Sequence, residues 1–158
     1  MIRKVKNVSR SQFRRINVYP TSENPTKNTH AFISIYGTEF DEQPAPKINH
    51  PLWMDGIQLM FDDVDNDYAP KNLKAISDKQ ADIIVNFVRR IHEHPDDMTL
   101  IVHCFAGVSR SAGVGKFVND IFKLDLPNYR GLQLYNAAVY RKLVDAWGRL
   151  LERDVAGT

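Results

Sequence analysis

The chain has 158 residues, 43% of them hydrophobic and 25% charged, with a formal net charge of +2. That length suits one domain with a real core, and the balance is that of an ordinary globular protein. So small a charge is too little to argue for a nucleic-acid partner and suits an anionic substrate equally well, and a single cysteine excludes both an intrachain disulfide framework and a Cys-x-x-Cys zinc site.

In chain order, MIRKVKNVSRSQFRRI interleaves basic and apolar side chains and contains no apolar block of signal-peptide length. It predicts a short strand over 2–5 and a helix over 9–16 capped by Ser9, its basic residues forming a solvated face. Residues 20–29 are polar and hold prolines, which predicts a loop. HAFISIYG, 30–37, has the β-branched and aromatic content of a strand. Pro44, Pro46 and Pro51 mark a second loop over 38–51, and Trp53 beyond it either lines a pocket or closes the core. GIQLMF, 56–61, is a further strand that runs into the acidic stretch DDVDND.

Ser77 opens the clearest helix, with Gln80 at the reciprocal capping-box position. Ala81, Ile84, Val85, Val88 and Ile91 make one apolar stripe through about His92, and Pro95 ends the segment. MTLIVH, 98–103, reads as a strand buried on both faces. Helices follow over 110–122 and 136–151, the last with Val139, Leu143, Val144, Trp147 and Leu150 as its buried stripe. Strands alternating with helices predict a single α/β domain over 1–158, a central and mostly parallel sheet flanked by helices. Such sheets bind ligands beyond the carboxyl ends of their strands. No run approaches the roughly 20 apolar residues that cross a bilayer. A lone reactive thiol survives best in a reducing compartment, so a cytoplasmic monomer away from membranes is expected.

The cysteine stands at one of those carboxyl ends, in IVHCFAGVSRS. A strand ending at His103 and a helix starting near Arg110 leave a tight bend whose amide N–H groups can converge on an anion. Gly107 permits backbone angles closed to other residues, and Arg110 carries a fork of donors matched to two phosphate oxygens. Cys104 lies at the base of that nest, where the positive field favours a thiolate. A thiolate beneath a phosphoryl group is set for in-line attack on phosphorus.

His103, Cys104, Gly107, Arg110 and Ser111 complete the pattern H-C-x-x-G-x-x-R-[ST]. In this the chain resembles the cysteine-dependent protein tyrosine phosphatase superfamily. SDKQADIIVNFVRR, IVHCFAGVSRSAGV and YNAAVYRKLVDAW are similar in order and spacing to the compact dual-specificity-like phosphatases of bacteria and phages. The W-P-D sequence of the longer tyrosine-specific domains is absent. The resemblance implies Cys104 as nucleophile and phosphocysteine. It implies that Arg110 and the backbone of Phe105, Ala106, Gly107, Val108 and Ser109 hold the phosphate. Ser111 would assist departure of the thiolate, and His103 would support the loop. It implies no metal and no cofactor.

A leaving oxygen needs a proton, and the acids on offer are Asp62, Asp63, Asp65 and Asp67. By similarity the acid lies two residues beyond the last apolar residue of its strand. With Phe61 as that residue the match is Asp63, and Asp62 is its rival. The same aspartates imitate a calcium loop, but Tyr68 replaces the required glycine and Lys74 the bidentate glutamate. GVGKF, 113–117, imitates a nucleotide loop, yet Phe117 stands where serine or threonine belongs, and the glycines predict close helix packing instead. HEH at 92–94 reads as a polar helix end. The expected activity is hydrolysis of phosphotyrosine, with or without phosphoserine and phosphothreonine, in a protein or small phosphoester. The alternatives are a silent phosphate-binding module, or a phosphatase for RNA 5′ ends or phosphoinositides. The last two are disfavoured because no lysine occupies the loop.

Overall fold

The computed structural model describes residues 1–16, 28–38, 53–65, 70–124 and 134–157. Within them the elements are β1 (Ile2–Ser9), α1 (Arg10–Arg15), β2 (His30–Tyr36), β3 (Asp55–Met60), α2 (Asp78–His92), β4 (Met98–Cys104), α3 (Arg110–Phe122) and α4 (Ala137–Ala156). Most of the two proline-bearing loops, together with Asp67 and Tyr68, lies outside the described residues.

The four strands form one sheet in the order β1-β4-β2-β3, and every pairing is parallel. β4 therefore sits inside the sheet, with β1 on one side and β2 on the other. Its continuous apolar run follows from burial on both faces, Leu100, Ile101 and Val102 each being no more than 3% exposed. β1 is longer than its apolar residues suggest. Pairing with β4 carries it through polar Lys6 and Asn7 to the register pair of Ser9 with Cys104.

The sheet separates two apolar clusters, as the alternation of side chains along a strand requires. Ala31, Ile33, Leu100 and Val102 join α2, α3 and α4 in the larger core. Phe32 and Ile101 face the other way and meet Phe13 of α1, with Trp53 packed against them. Trp53 closes this smaller cluster, stacked on Phe13 at 5.7 Å between centroids. Each fully buried aliphatic side chain contributes about 1.5–3 kcal/mol.

Of the three helices with a serine at the N-cap, α1 and α2 carry full capping boxes, Ser9 with Gln12 and Ser77 with Gln80. The α2 stripe is buried throughout, and Phe87 is buried beside it. α4 differs from its sequence reading in three ways, the first being that Trp147 is only half-buried, packed against the core rather than within it. The helix also runs five residues further, to Ala156, and Val144 is 43% exposed. The buried line is Val139, Leu143, Ala146 and Leu150, spaced by four, three and four residues; Val144 falls one residue, or about 100°, off it. Gly113 explains part of GVGKF: a Cβ there would lie 2.8 Å from the Asn136 carbonyl oxygen, so its absence lets α3 approach the start of α4. Among the described residues no helix is long and apolar enough to cross a membrane.

Candidate functional site

β4 delivers two consecutive side chains to opposite faces of the sheet. His103 shares the α1 face with Ile101, while Cys104 shares the core face with Val102 and Leu100. The chain then turns through residues 105–109 and enters α3 at Arg110. Gly107 takes φ +79, in the left-handed region, and a Cβ there would come within 2.5 Å of the Val8 backbone. The bend is thus pressed against the end of β1, where the Arg10 N–H also donates to the Phe105 carbonyl at 3.0 Å. Only glycine meets both demands.

This bend brings donors to the sulfur. The Gly107 N–H donates to Cys104 Sγ at 3.2 Å, and the Ser111 hydroxyl lies 3.2 Å from the same atom. Cys104 is 2% exposed and Ser111 is fully buried. Phe105 and Val108, about 40% exposed, flank the bend as apolar neighbours. Ser109, the N-cap of α3, makes no side-chain cap bond, so the first amides of that helix have no hydroxyl acceptor from it.

Arg110 is buried at 4% exposure. Its Nη1 donates to the Phe61 carbonyl at 2.9 Å, and its Nε is buried with no hydrogen-bond partner among the described residues. A buried guanidinium with an open donor is costly unless an anion completes it. Arg110 is thus a buried cation with an unsatisfied donor among the described residues, three residues after the sulfur-bonding Gly107 and one residue before Ser111.

The two adjacent aspartates have opposite surroundings. Asp62 is 1% exposed, and its oxygens accept from the Thr38 N–H at 2.6 Å, the Thr38 hydroxyl at 2.7 Å and the Lys74 N–H at 2.7 Å. It ties the end of β2 to the segment that leads into α2. Asp63 is exposed and turns to the bend, its Oδ1 accepting from Ser109 Oγ at 2.7 Å. Asp65 accepts from the Ala137 N–H at 3.1 Å, at the start of α4.

His103 is fully buried and its ring is stacked on Phe13 at 4.3 Å. Its Nδ1 faces the Cys104 carbonyl at 3.3 Å, and its Nε2 lies 2.7 Å from Ser34 Oγ. A carbonyl only accepts, so Nδ1 carries the hydrogen and Ser34 donates to Nε2. Burial holds the imidazole down at about 4 against an ordinary 6.5; the Cys104 carbonyl opposes this, and Arg10, Arg110 and Arg14 reinforce it. His103 is therefore neutral near pH 7.

Two polar residues stand out that sequence reasoning passed over. Ser34 is a buried hydroxyl inside an apolar strand, which is the one signal that marks it. Asn136, 1% exposed, donates from Nδ2 to Asp63 Oδ1 at 2.8 Å and to the Val64 carbonyl at 3.1 Å. Its place at the start of α4 is legible only as an N-cap.

Among the described residues no group of three or more histidine, cysteine, aspartate or glutamate side chains is placed to hold a metal ion. His92 stacks on Phe122 at 3.6 Å, and His94 Nδ1 accepts from the Asp96 N–H. A surface depression of about 410 Å³ lined by Asp82, Arg149, Glu152, Arg153 and Ala156 is made by α2 and α4 and includes no residue of the bend. No family model and no curated protein matches the chain.

Proposed function

We propose that the chain is a phosphatase that hydrolyses phosphoric monoesters, foremost phosphotyrosine in a protein, through a phosphocysteine intermediate. The observation that carries this reading is the convergence on Cys104 Sγ of the Gly107 N–H and Ser111 hydroxyl, with the open donor of buried Arg110 on the same turn of chain. A structural thiol has no use for that set of donors. An anionic sulfur and an anionic substrate both do.

The Cys104 thiolate attacks phosphorus opposite the ester oxygen. The S–P bond forms as the P–O ester bond breaks, and the departing oxygen takes the bond's electron pair and a proton from Asp63. The loop amides and Arg110 hold the three remaining oxygens, where charge gathers in the transition state. Water then attacks the phosphocysteine and gives a proton to the Asp63 carboxylate. The S–P bond breaks, inorganic phosphate leaves, and Ser111 donates to the returning thiolate.

Asp63 is favoured over Asp62 for the proton because it is exposed and bonded to Ser109, whereas Asp62 is buried and accepts three hydrogens from the scaffold. Exposed Phe105 and Val108 offer apolar contact to an aromatic ring. Peptides phosphorylated on tyrosine, serine or threonine in one sequence context test the reading: release of phosphate fastest from the tyrosine peptide supports it, and release from none of the three overturns it.

A further inference from the structure

Asn136 joins three segments that are far apart in the chain. Its side-chain oxygen accepts from the Val139 N–H at 2.9 Å and so caps α4. Its backbone N–H donates to the Ser109 carbonyl at 3.0 Å. Its Nδ2 donates to Asp63 Oδ1 and to the Val64 carbonyl. Ser109 closes the figure by donating its own hydroxyl to that same Oδ1. Asp63, Ser109 and Asn136 are thus bonded each to the other two.

Capping alone does not call for asparagine. An N-cap needs one acceptor oxygen, and serine, threonine or aspartate supplies it as well. What asparagine adds is two N–H donors on the same side chain, and here both are used on the segment that carries Asp63. The Gly113 contact belongs to the same design, since a methyl group there would push on the Asn136 carbonyl at 2.8 Å.

We infer that Asn136 is a positioning residue for the general acid, fixing which oxygen of Asp63 carries the proton and holding that segment to the loop of the nucleophile. The inference rests on the reading of Asp63 as the acid. With two donors on Oδ1, that oxygen acts as the acceptor and Oδ2 is the one that bears the hydrogen. The terminal torsion of an aspartate is broad and nearly two-fold, so without the Nδ2 donor the carboxyl group samples orientations in which the proton points away from the leaving oxygen. Small errors of placement are expensive in proton transfer.

The test is Asn136→Ser, which keeps a capping oxygen and removes the donor, with kcat/KM measured on two substrates. A phosphotyrosyl peptide needs the proton; dinitrophenyl phosphate, whose leaving group is stable as an anion, does not. The expected result is a fall of roughly tenfold on the peptide and less than about twofold on dinitrophenyl phosphate. Asn136→Thr, which also caps but has no amide N–H, is expected to give the same split and serves if the serine variant melts below the assay temperature. Equal losses on both substrates, or no loss on either, overturn the inference. If the parent turns over neither substrate, or Asp63→Asn lacks the split, the underlying reading falls with it. If those two behave as expected and both Asn136 variants match the parent, this inference alone falls.

Discussion

The hydroxyl of Ser34 donates to Nε2 of His103 at 2.7 Å, across the register pair that joins β2 to β4. Both side chains are fully buried. The bond secures the ring whose opposite nitrogen holds the Cys104 carbonyl, one residue before the bend begins. Ser34→Ala leaves Nε2 buried and unsatisfied, at a cost of about 1–3 kcal/mol. Urea unfolding measures this directly, and an unchanged midpoint would show that the bond contributes nothing.

His103 also gives the fold a sign of pH dependence. Its imidazole is held down at about 4, chiefly by burial, against 6.5 in an exposed chain. Between these values the unfolded chain binds a proton that the folded chain refuses. Stability from this group is therefore complete above about 6.5 and is lost as pH falls toward 4, by an amount on the order of 3 kcal/mol. Proton NMR of the ring should give a midpoint close to 4, assigned by its disappearance in His103→Gln. A midpoint near 6.5 would mean that the ring is not sealed as described.

Asp62 and Asp63 should respond in opposite ways to substitution. Asp62→Ala strips the acceptor from the amides of Thr38 and Lys74, and it should cost about 3 kcal/mol of stability. Asp63→Asn keeps the fold and should lower kcat/KM on phosphotyrosyl peptides by about a hundredfold, with a much smaller loss on dinitrophenyl phosphate. Thermal melting and the two-substrate assay separate these outcomes. If Asp62→Asn shows the leaving-group pattern and Asp63→Asn does not, the acid is Asp62.

How much of this was legible in the chain depended on how local its cause is. The bounds of α3 follow from a short bend between an apolar run and a helical stripe, and Ser77, Gln80 and Pro95 frame α2 almost to the residue. Cys104, Gly107, Arg110 and Ser111 lie within eight consecutive positions, so their grouping needs no tertiary information. Ser34 and Asn136 are different. Their partners lie 69 and 73 residues away, and alone they read as a small residue in a strand and an ordinary cap. The preference for Asp63 over Asp62 came from the resemblance alone, since neighbouring residues differ only in which way the turn aims them. The misassigned Val144 shows the limit of periodicity itself: an apolar residue at the rim of a helical stripe is indistinguishable from one inside it.

The most direct test of the account is to quench the reaction of the chain with a phosphotyrosyl peptide within its first turnovers and map the phosphoryl group by mass spectrometry. The account predicts one phosphoryl group on the peptide that contains Cys104, absent in Cys104→Ser, with turnover by that variant abolished. Turnover by Cys104→Ser within about tenfold of the parent, or steady turnover with no phosphoryl group on Cys104, would contradict it.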